Sequence, residues 1–320
     1  MTALLLNIAA PWHGPDPVRS AARALAGGVD GVGLLDSPRL FADGFVETQR
    51  ILDATAAGLA GPCVASLGLR HPATVAGALR TLELRHPGRA FAVVGRGESS
   101  VRNEGLPMPP LRDHTAALAS LRAALTTDDG APVAPGRILG AASGPRTIAA
   151  TAAALGGVLV DVGVDPGVVA RAVRLAREHA ADATVWLFLR ATPTSSEAEA
   201  ATATDPLLGS CAMRIVAAPE WYGVSGKELD AVRAVAESHD YARHGSAGAR
   251  GGARTEADGL VRDRFVLTGD PGRIAARIRP LAGLGATGVV LAGALPGTLE
   301  RLPELVGAVR HGLGDGEEHR

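Results

Sequence analysis

The sequence predicts an α/β fold, a single (β/α)8 TIM barrel with an insertion between strands 7 and 8. Short apolar runs alternate with longer Ala-, Leu- and Arg-rich segments of helical period, which is the pattern of βα units around a parallel sheet. Eight such units can be traced, at about 40 residues each. The chain has 320 residues, more than the typical barrel length of about 250, so one unit must carry extra chain.

The predicted strands follow one another in eight apolar runs: Ala3–Ala9, Gly31–Asp36, Pro62–Leu67, Ala90–Gly95, Arg137–Ala142, Gly157–Asp161, Thr184–Arg190 and Gly288–Ala292. Helices are predicted between and after them, at Pro17–Ala26, Ala42–Leu59, Pro72–Leu84, Leu111–Leu125, Pro145–Leu155, Pro166–Glu178, Pro271–Leu284 and Gly297–Leu313. Several of these helices begin with proline, which suits a first helical turn because its missing N–H has no intrahelical partner there.

The extra chain is assigned to residues 191–265, where no barrel strand is predicted. This region includes two low-complexity segments, Ala191–Thr204 and Gly245–Arg254. It is interpreted either as a solvated surface excursion or as a lid-like insertion at the active-site face, where long loops often lie. The tail Gly312–Arg320 is expected to fray.

Composition narrows the function classes. The 32 basic and 33 acidic residues give a net charge of −1, so the chain offers no net positive charge to attract nucleic acid or an anionic membrane. Lys227 is the only lysine, so arginine supplies almost all the cationic side chains. The two cysteines, Cys63 and Cys211, are too few for a disulfide framework. We expect a cytoplasmic protein, since neither a signal peptide nor a membrane-spanning run is visible.

Barrel enzymes place their catalytic groups after the C-terminal ends of the strands, so those positions are the candidates. Gly95-Arg96-Gly97-Glu98 follows strand 4, but it lacks the third glycine of a dinucleotide fingerprint. It is interpreted as an anion site built on Arg96, or as an arginine in a surface ion pair. Ser143-Gly144-Pro145 leads from strand 5 into a helix, and forms either a second anion site, with the serine as cap and ligand, or a simple cap.

Other chemistries find little support in the sequence. His239 and His244 lack the spacing and the carboxylate of a zinc helix. No nucleophile elbow is present, and Cys63 is interpreted as a packing residue in a buried strand. Three aromatic sites could stack on a planar substrate or could equally be packing residues: Trp12, Trp221-Tyr222 and Tyr241.

Several motifs, taken in order, resemble the luciferase-like superfamily, and most of all its members that use the deazaflavin coenzyme F420 and are similar to methylenetetrahydromethanopterin reductase. They are Leu35-Asp36-Ser37-Pro38, Leu69-Arg70-His71-Pro72, Thr81-Leu82, His86-Pro87-Gly88-Arg89, Gly95-Arg96-Gly97-Glu98-Ser99-Ser100-Val101-Arg102-Asn103-Glu104-Gly105, Ala141-Ala142-Ser143-Gly144-Pro145 and Thr268-Gly269-Asp270-Pro271. The resemblance extends over nearly the whole chain.

The resemblance implies roles for individual residues. Asp36 matches an acidic residue beside the deazaflavin ring, and Glu98 matches an acid that transfers protons; both are predicted to be catalytic. The Ser66-Leu67 step matches a bulged strand end with a non-prolyl cis peptide bond behind the ring. The predicted cofactor-binding set is Asp36, Ser66, Leu67, Arg96, Gly97, Ser143, Gly144, Pro145 and Gly163, and no metal site is predicted.

The activity implied is hydride transfer between C5 of the deazaflavin and an unsaturated carbon of a small organic substrate. A monooxygenase that uses FMN reduced by a separate partner enzyme is the alternative, supported by Arg96, and a barrel that binds a flavin-like ligand without turnover is a third hypothesis. A homodimer is expected by analogy. The chain departs from its relatives in a shorter loop after Ser66, in Ser37, and in Asp161 and Val164, which replace a threonine and a phosphate-binding lysine.

Overall fold

The chain forms a closed barrel of parallel strands surrounded by helices, in a computed structural model that describes residues 2–126, 133–243, 255–292 and 302–314. The strands are β1 (Ala3–Ile8), β2 (Gly31–Leu34), β3 (Leu59–Ser66), β4 (Ala92–Gly95), β5 (Ile138–Ala142), β6 (Gly157–Val160), β7 (Thr184–Pro193), β8 (Val266–Gly269) and β9 (Gly288–Ala292).

Barrel closure follows from the strand pairing. Each strand from β1 to β7 pairs in parallel with the next one. β9 then pairs with both β7 and β1, through Phe188 to Val290 and through Leu5 to Val290. The predicted (β/α)8 barrel is confirmed, and β9 is its eighth strand.

β8 is an additional strand that the sequence pattern did not reveal. It pairs with the part of β7 that projects beyond the barrel, from Arg190–Val266 to Pro193–Gly269. Arg190 also pairs with Ala292 of β9, so β8 must occupy the opposite edge of β7, the edge that it shares with β6. β7 therefore carries residues above the barrel, where the insertion joins it.

Helices cover the outside of the barrel. They are α1 (Pro17–Ala26), α2 (Gly44–Ala54), α3 (Pro72–Arg85), α4 (Glu98–Asn103), α5 (Leu111–Leu125), α6 (Pro145–Leu155), α7 (Pro166–His179), α8 (Glu197–Ala217), α9 (Pro219–Tyr222), α10 (Gly226–Glu237), α11 (Glu256–Phe265), α12 (Pro271–Ala282) and α13 (Leu302–Gly314). None of the helices in the described ranges is long and apolar enough to cross a membrane.

An Asp-Pro pair starts three of the helices. Asp16, Asp165 and Asp270 are the N-caps of α1, α7 and α12, and each side chain accepts a hydrogen bond from a backbone N–H of the first turn, at 3.2, 2.9 and 2.9 Å. The proline that follows occupies a position where no donor is needed. This local chemistry explains why these helix starts lie where the sequence predicts them.

Two segments differ from the sequence prediction. The helix predicted over Ala42–Leu59 spans only Gly44–Ala54. Thr55 is already extended, with φ −123° and ψ 138°, and Gly58 adopts φ +88° in the turn that leads into β3. Ala191–Thr204 is not irregular: β7 continues to Pro193, and α8 begins at Glu197, where the Ser196 hydroxyl accepts the Glu199 N–H at 3.2 Å. Gly245–Arg254, His244, the first part of the helix predicted over Gly297–Leu313, and residues 315–320 lie outside the described residues.

The barrel interior is an apolar cluster of its own, separate from the layer between strands and helices. It contains Leu5, Cys63, Phe91, Val93, Leu139, Leu159, Trp186 and Val290. Its members confirm that Cys63 is a packing residue, and burial raises the pKa of its thiol well above the ordinary value. Since alternate strand residues face the same side, Asn7, Asp161 and Arg190 point into the C-terminal end of this interior.

Candidate active site at the C-terminal mouth of the barrel

The C-terminal mouth of the barrel is lined by the polar residues that follow the strands. The structure brings most of the predicted site residues to this end, since they come directly after β2, β3, β4, β5 and β6. Their side chains do not all have the partners that the sequence suggested.

Asp36, after β2, forms a buried ion pair with Arg70. The Arg70 Nε and Nη2 atoms lie 2.8 and 2.9 Å from the two Asp36 carboxylate oxygens, and the Gly44 N–H donates to the same carboxylate at 3.2 Å. Only 3% of the Asp36 side chain is exposed. The structure therefore shows Asp36 as an acceptor inside an ion pair, and its predicted catalytic role remains a prediction.

Arg70 joins Asp36 to a second carboxylate. Its Nη2 atom also donates to Asp43 at 2.7 Å, and its guanidinium lies 5.1 Å from the centre of the Phe45 ring. Burial by itself would raise the pKa of Asp43, but the hydrogen bond and charge of Arg70 hold that pKa below its ordinary value. In the sequence, Arg70 stands only as part of the Leu69-Arg70-His71-Pro72 motif. Its role as a link between the ends of β2 and β3 required the tertiary structure.

The cis peptide bond lies inside β3. Within the described residues it joins Cys63 to Val64, at the point where the pairing of β3 with β4 changes register between Cys63 and Ala65. The predicted position at Ser66-Leu67 is therefore wrong. The bulge that accompanies this bond occurs before the strand end instead of at it, and after the bulge Leu67 resumes regular pairing through its N–H, which donates to the Gly95 carbonyl at 2.9 Å.

Ser66 and Gly97 hold the ends of β3 and β4 together. The Ser66 hydroxyl donates to the Arg96 carbonyl at 3.2 Å and accepts the Gly68 N–H at 3.1 Å. Gly97 has φ +78°, and a Cβ there would come within 1.9 Å of the Ser66 Oγ atom. Glycine is required at position 97 both by its backbone conformation and by this contact.

Arg96, after β4, is directed toward backbone instead of toward a carboxylate. Its Nε and Nη2 atoms both donate to the Pro109 carbonyl, at 3.1 and 2.6 Å. No acidic side chain forms an ion pair with Arg96 anywhere in the described part of the chain. The surface ion pair considered from the sequence is thus absent from that part, while the guanidinium remains fixed at the strand end.

His114 of α5 lies behind Arg96. It is 2% exposed, and its Nε2 atom has no hydrogen-bond partner among the residues that the structure describes. Burial, with a further contribution from the positive charge of Arg96, lowers the pKa of His114 to about 4. At neutral pH this histidine is therefore uncharged.

Glu98, at the start of α4, contacts the insertion. The Tyr241 hydroxyl donates to its carboxylate at 3.1 Å, and the Arg102 Nη2 atom lies 3.6 Å from the same oxygen. Arg102 also lies over the Tyr241 ring, and the Asn103 amide donates to the Tyr241 carbonyl at 2.9 Å. The Glu98 side chain remains 42% exposed, so its carboxylate is both positioned and accessible.

Tyr241 is the aromatic residue of the insertion that reaches the mouth. Burial, together with the nearby charge of Glu98, raises the pKa of Tyr241 above its ordinary value, so its hydroxyl is a hydrogen-bond donor at neutral pH. Tyr222, by contrast, is a core residue that packs against Phe265 with ring centres 5.5 Å apart. Trp12 is 59% exposed and donates its indole N–H to the Pro38 carbonyl at 3.1 Å.

The Ser143-Gly144-Pro145 turn begins α6. Gly144 is the N-cap, and no side chain caps this helix, so the expectation that Ser143 caps it is wrong. The reason is geometric: Gly144, and not Ser143, stands at the position from which a side chain can reach the first-turn amides. The helix N-terminus keeps its positive end open for an anion.

Asp161, after β6, is paired with two arginines, which the sequence analysis did not anticipate. Arg190 of β7 reaches both carboxylate oxygens, at 2.6 and 3.0 Å, and the Nε atom of Arg214 in α8 lies 2.7 Å from one of them. Burial by itself would raise the pKa of Asp161, but the charges of Arg190 and Arg214 hold it well below the usual range. The two arginines thus neutralise the charge of Asp161, so this side chain does not present a free negative charge to a ligand.

Gly163 packs against the end of the insertion. It has φ +83°, and a Cβ there would lie 2.1 Å from the Arg264 carbonyl. The Val164 N–H donates to that carbonyl at 2.7 Å. This close approach accounts for the glycine by itself, and its predicted contact with a cofactor remains a prediction.

Besides His114 Nε2, three buried polar atoms at strand ends have no hydrogen-bond partner within the described ranges: Asn7 Oδ1, Ser37 Oγ and Thr192 Oγ1. Their residues are 3, 5 and 2% exposed. Buried polar groups are rarely left unpaired, so their presence around one barrel mouth is typical of a site that binds a polar ligand. Across the described residues, no group of three or more His, Cys, Asp or Glu side chains is arranged to hold a metal ion.

Together these features define a barrel with a polar C-terminal mouth, the class of architecture that carries oxidoreductases among many other enzymes. The model of the luciferase-like monooxygenase family matches residues 60–288, more than half of the chain. The chain therefore belongs to the luciferase-like monooxygenase family. A comparison with curated proteins gave no match.

Solved structures share the fold over nearly the whole chain. The coenzyme F420-dependent tetrahydromethanopterin reductase from Methanopyrus kandleri aligns with a TM-score of 0.74 at 19% identity, covering 97% of this chain and 99% of that one. An F420-dependent secondary alcohol dehydrogenase aligns at 0.70 and 16% identity, with coverage of 97% and 99%. The EDTA monooxygenase of Chelativorans sp. BNC1 aligns at 0.63 and 16% identity, covering 97% and 93%.

Proposed function

We propose that this protein is an F420-dependent reductase that transfers a hydride between C5 of the deazaflavin and an unsaturated carbon of a small organic substrate. The observation that carries the proposal is the Glu98 carboxylate at the barrel mouth, held by Tyr241 and Arg102 yet 42% exposed. Support also comes from the two structural neighbours described as F420-dependent, with TM-scores of 0.74 and 0.70.

The residues at the mouth fit a deazaflavin. Its ring carries both N–H donors and carbonyl acceptors, and the unpartnered Asn7 Oδ1 and Ser37 Oγ atoms provide an acceptor and a hydroxyl for them. The uncapped N-terminus of α6 and the fixed guanidinium of Arg96 would hold the phosphate. When bound, the deazaflavin supplies or accepts the hydride.

The protein contributes positioning and a proton. Glu98 exchanges a proton between its carboxyl group and the substrate atom next to the reacting carbon, and Tyr241 orients that carboxyl by donating to one oxygen. The buried Asp36–Arg70 pair fixes the ends of β2 and β3 around the site. Such alignment of reactants accounts for much of the rate in hydride transfer, because the cofactor carries the chemistry.

A monooxygenase that uses reduced FMN is the second candidate, and one observation favours it. Arg96 has no carboxylate partner in the described residues, so its charge is available to a flavin phosphate. The two cofactors lead to different reactions: deazaflavin has carbon where flavin has N5, which suits it to hydride transfer and makes it poor at activating oxygen.

A titration of the purified protein with F420 and, separately, with FMN tests the proposal, with binding followed by fluorescence. We expect a micromolar dissociation constant for F420. Tight binding of FMN without F420 would overturn the proposal in favour of the monooxygenase, and binding of neither would favour a barrel without this activity.

Two variants then examine Glu98 with reduced F420 and a panel of unsaturated substrates. Glu98→Gln should bind F420 within about threefold of the unchanged protein but lose about 10²-fold or more in turnover. Glu104→Gln is the matched control, because Glu104 belongs to the same segment but pairs with Arg39. Equal turnover in the two variants would contradict the role given to Glu98.

A further inference from the structure

The Arg190–Asp161–Arg214 cluster, defined by those three residues, carries one more positive than negative charge. Arg190 directs Nη1 and Nη2 at Asp161, and Arg214 directs Nε and Nη2 at one oxygen of the same carboxylate. In the described residues, neither arginine forms an ion pair with any other acid. One carboxylate can neutralise only one of the two guanidinium groups.

The excess charge lies where water is scarce. The side chains of Arg190, Asp161 and Arg214 are 7, 12 and 21% exposed. Burying a charge without a counterion is expensive, so a net positive cluster in such a place favours an added anion. The greater exposure of Arg214 gives the cluster contact with solvent.

Neighbouring groups do not supply the missing negative charge. Cys211, Tyr222 and His239 of the insertion lie near these arginines, but none supplies a negative charge. Burial raises the pKa of the Cys211 thiol and of the Tyr222 hydroxyl, and burial, with the charge of Arg214, lowers the pKa of His239. Glu98, which lies near His239, is already paired with Arg102. Since no other acid in the described ranges pairs with the cluster, its excess positive charge is left for an anion supplied by a ligand.

Thr192 provides a second, independent indication. It lies two residues after Arg190 on β7, so the two side chains leave the strand on the same side. Thr192 is 2% exposed, and its hydroxyl has no hydrogen-bond partner in the part of the chain that the structure describes. A buried hydroxyl on the same side of β7 as Arg190, together with the excess guanidinium charge, is the donor set expected for a carboxylate or a phosphate.

We infer that Arg190, Arg214 and Thr192 form a binding site for an anionic oxygen group, a carboxylate or a phosphate, on the ligand that enters the barrel mouth. The group could belong to the substrate or to the side chain of the cofactor. The inference rests on the proposed function only in placing the active site at this end of the barrel. It assigns to Asp161 the role of orienting both arginines.

The first experiment measures anion binding by the cofactor-free protein, using inorganic phosphate and malonate as probes, with sodium chloride added to constant ionic strength. At ten times its dissociation constant, either probe should raise the melting temperature by about 2–3 °C over chloride. Arg214→Gln and Thr192→Val should each weaken the binding measured by calorimetry, by about tenfold for the arginine and about threefold or more for the hydroxyl.

Arg137→Gln is the matched control, since Arg137 also makes a buried pair, with Glu83, but at the other end of the barrel. It should retain the full anion response even though its stability falls. The absence of any response beyond chloride in the unchanged protein, or a full response in Arg214→Gln, would overturn the inference.

Comparison of ligands identifies the source of the anion. If the cofactor phosphate occupies the site, F420 will bind more tightly than the same deazaflavin without its phosphate side chain, and this difference in affinity will disappear in Arg214→Gln. Bound F420 will then also abolish the rise in melting temperature caused by inorganic phosphate. If the substrate supplies the anion, the phosphate response will persist with F420 bound. A protein that binds phosphate here but neither F420 nor FMN would contradict the proposed function and leave the anion site standing.

Discussion

Replacing Asp161 by asparagine tests the electrostatics at the mouth most directly. Asp161→Asn keeps the shape of the side chain but removes the negative charge that pairs with Arg190 and Arg214, both largely buried. Removing one partner of a buried ion pair typically costs about 3–5 kcal/mol, because the remaining charges are left uncompensated. With an unfolding entropy of about 2.1 cal/mol/K per residue, a chain of 320 residues should lose about 4–7 °C in melting temperature.

The assay is urea denaturation at pH 7 and 25 °C, with Asp230→Asn as a control. Asp230 pairs with Arg233 on the surface and is 70% exposed, so its loss should change stability by at most about 0.5 kcal/mol. A change below about 1 kcal/mol in Asp161→Asn would refute the reasoning.

The pH dependence of the same pair gives a second readout. The folded-state pKa of Asp161 lies below its unfolded value, so its contribution to stability is fully present above about pH 4 and is lost as the pH falls through and below that value. The gap between Asp161→Asn and the unchanged protein should therefore narrow at low pH. A gap that widens on acidification would show that the carboxylate is not held ionised by the two arginines.

Three further predictions concern the rest of the mouth. Gly97→Ala places a Cβ 1.9 Å from Ser66 Oγ and should lower the free energy of unfolding, measured by thermal denaturation, by about 2 kcal/mol or more. Gly105→Ala is the control: Gly105 has φ +69° but nothing within 4 Å of the added Cβ, so the loss should be about 1 kcal/mol. Equal losses in the two variants would contradict the contact with Ser66. Tyr241→Phe keeps the ring under Arg102 but removes the hydrogen bond to Glu98. Turnover should therefore fall, while the melting temperature should change by less than about 2 °C. If turnover and its pH profile are unchanged, Tyr241 does not position Glu98. Burial lowers the pKa of His114 to about 4, so its contribution to stability is retained above about pH 6.5 and is lost as the pH falls toward 4. His114→Phe should therefore flatten the dependence of unfolding free energy on pH between those values. An NMR titration that places the pKa of His114 near 6.5 would contradict this prediction.

The hydrophobic periodicity of the sequence was enough to predict the barrel and most of its strands and helices. The bounds of α1, α5 and α6 were predicted without error, because Asp16 and the prolines at positions 17 and 145 define helix starts locally. The helices within residues 191–265 and the strand β8 were not predicted. Ala191–Thr204 has a composition that is ambiguous between loop and helix, and only packing against the barrel decides such a segment.

The candidate site divides in the same way. Glu98, Arg96 and Gly97 were selected from the sequence because a strand end followed by Gly-Arg-Gly-Glu is a local signal. Their partners were not predictable: Glu98 and Tyr241 are 143 residues apart, and Asp161 and Arg214 are 53 residues apart. No local pattern specifies which distant side chain will reach a given charge.

By itself, then, the amino-acid sequence determined the repeating βα order, the strand ends at which functional groups gather, and the neutral, arginine-rich composition. Those properties depend on local periodicity and on turn and cap chemistry. The tertiary structure alone decided the partners of these charges. Arg70 forms an ion pair with Asp36, and Arg96 donates hydrogen bonds to the Pro109 carbonyl. Asp161 forms ion pairs with two arginines. Charges separated in sequence acquire partners only when barrel closure and the docking of the insertion bring them together and exclude water from around them.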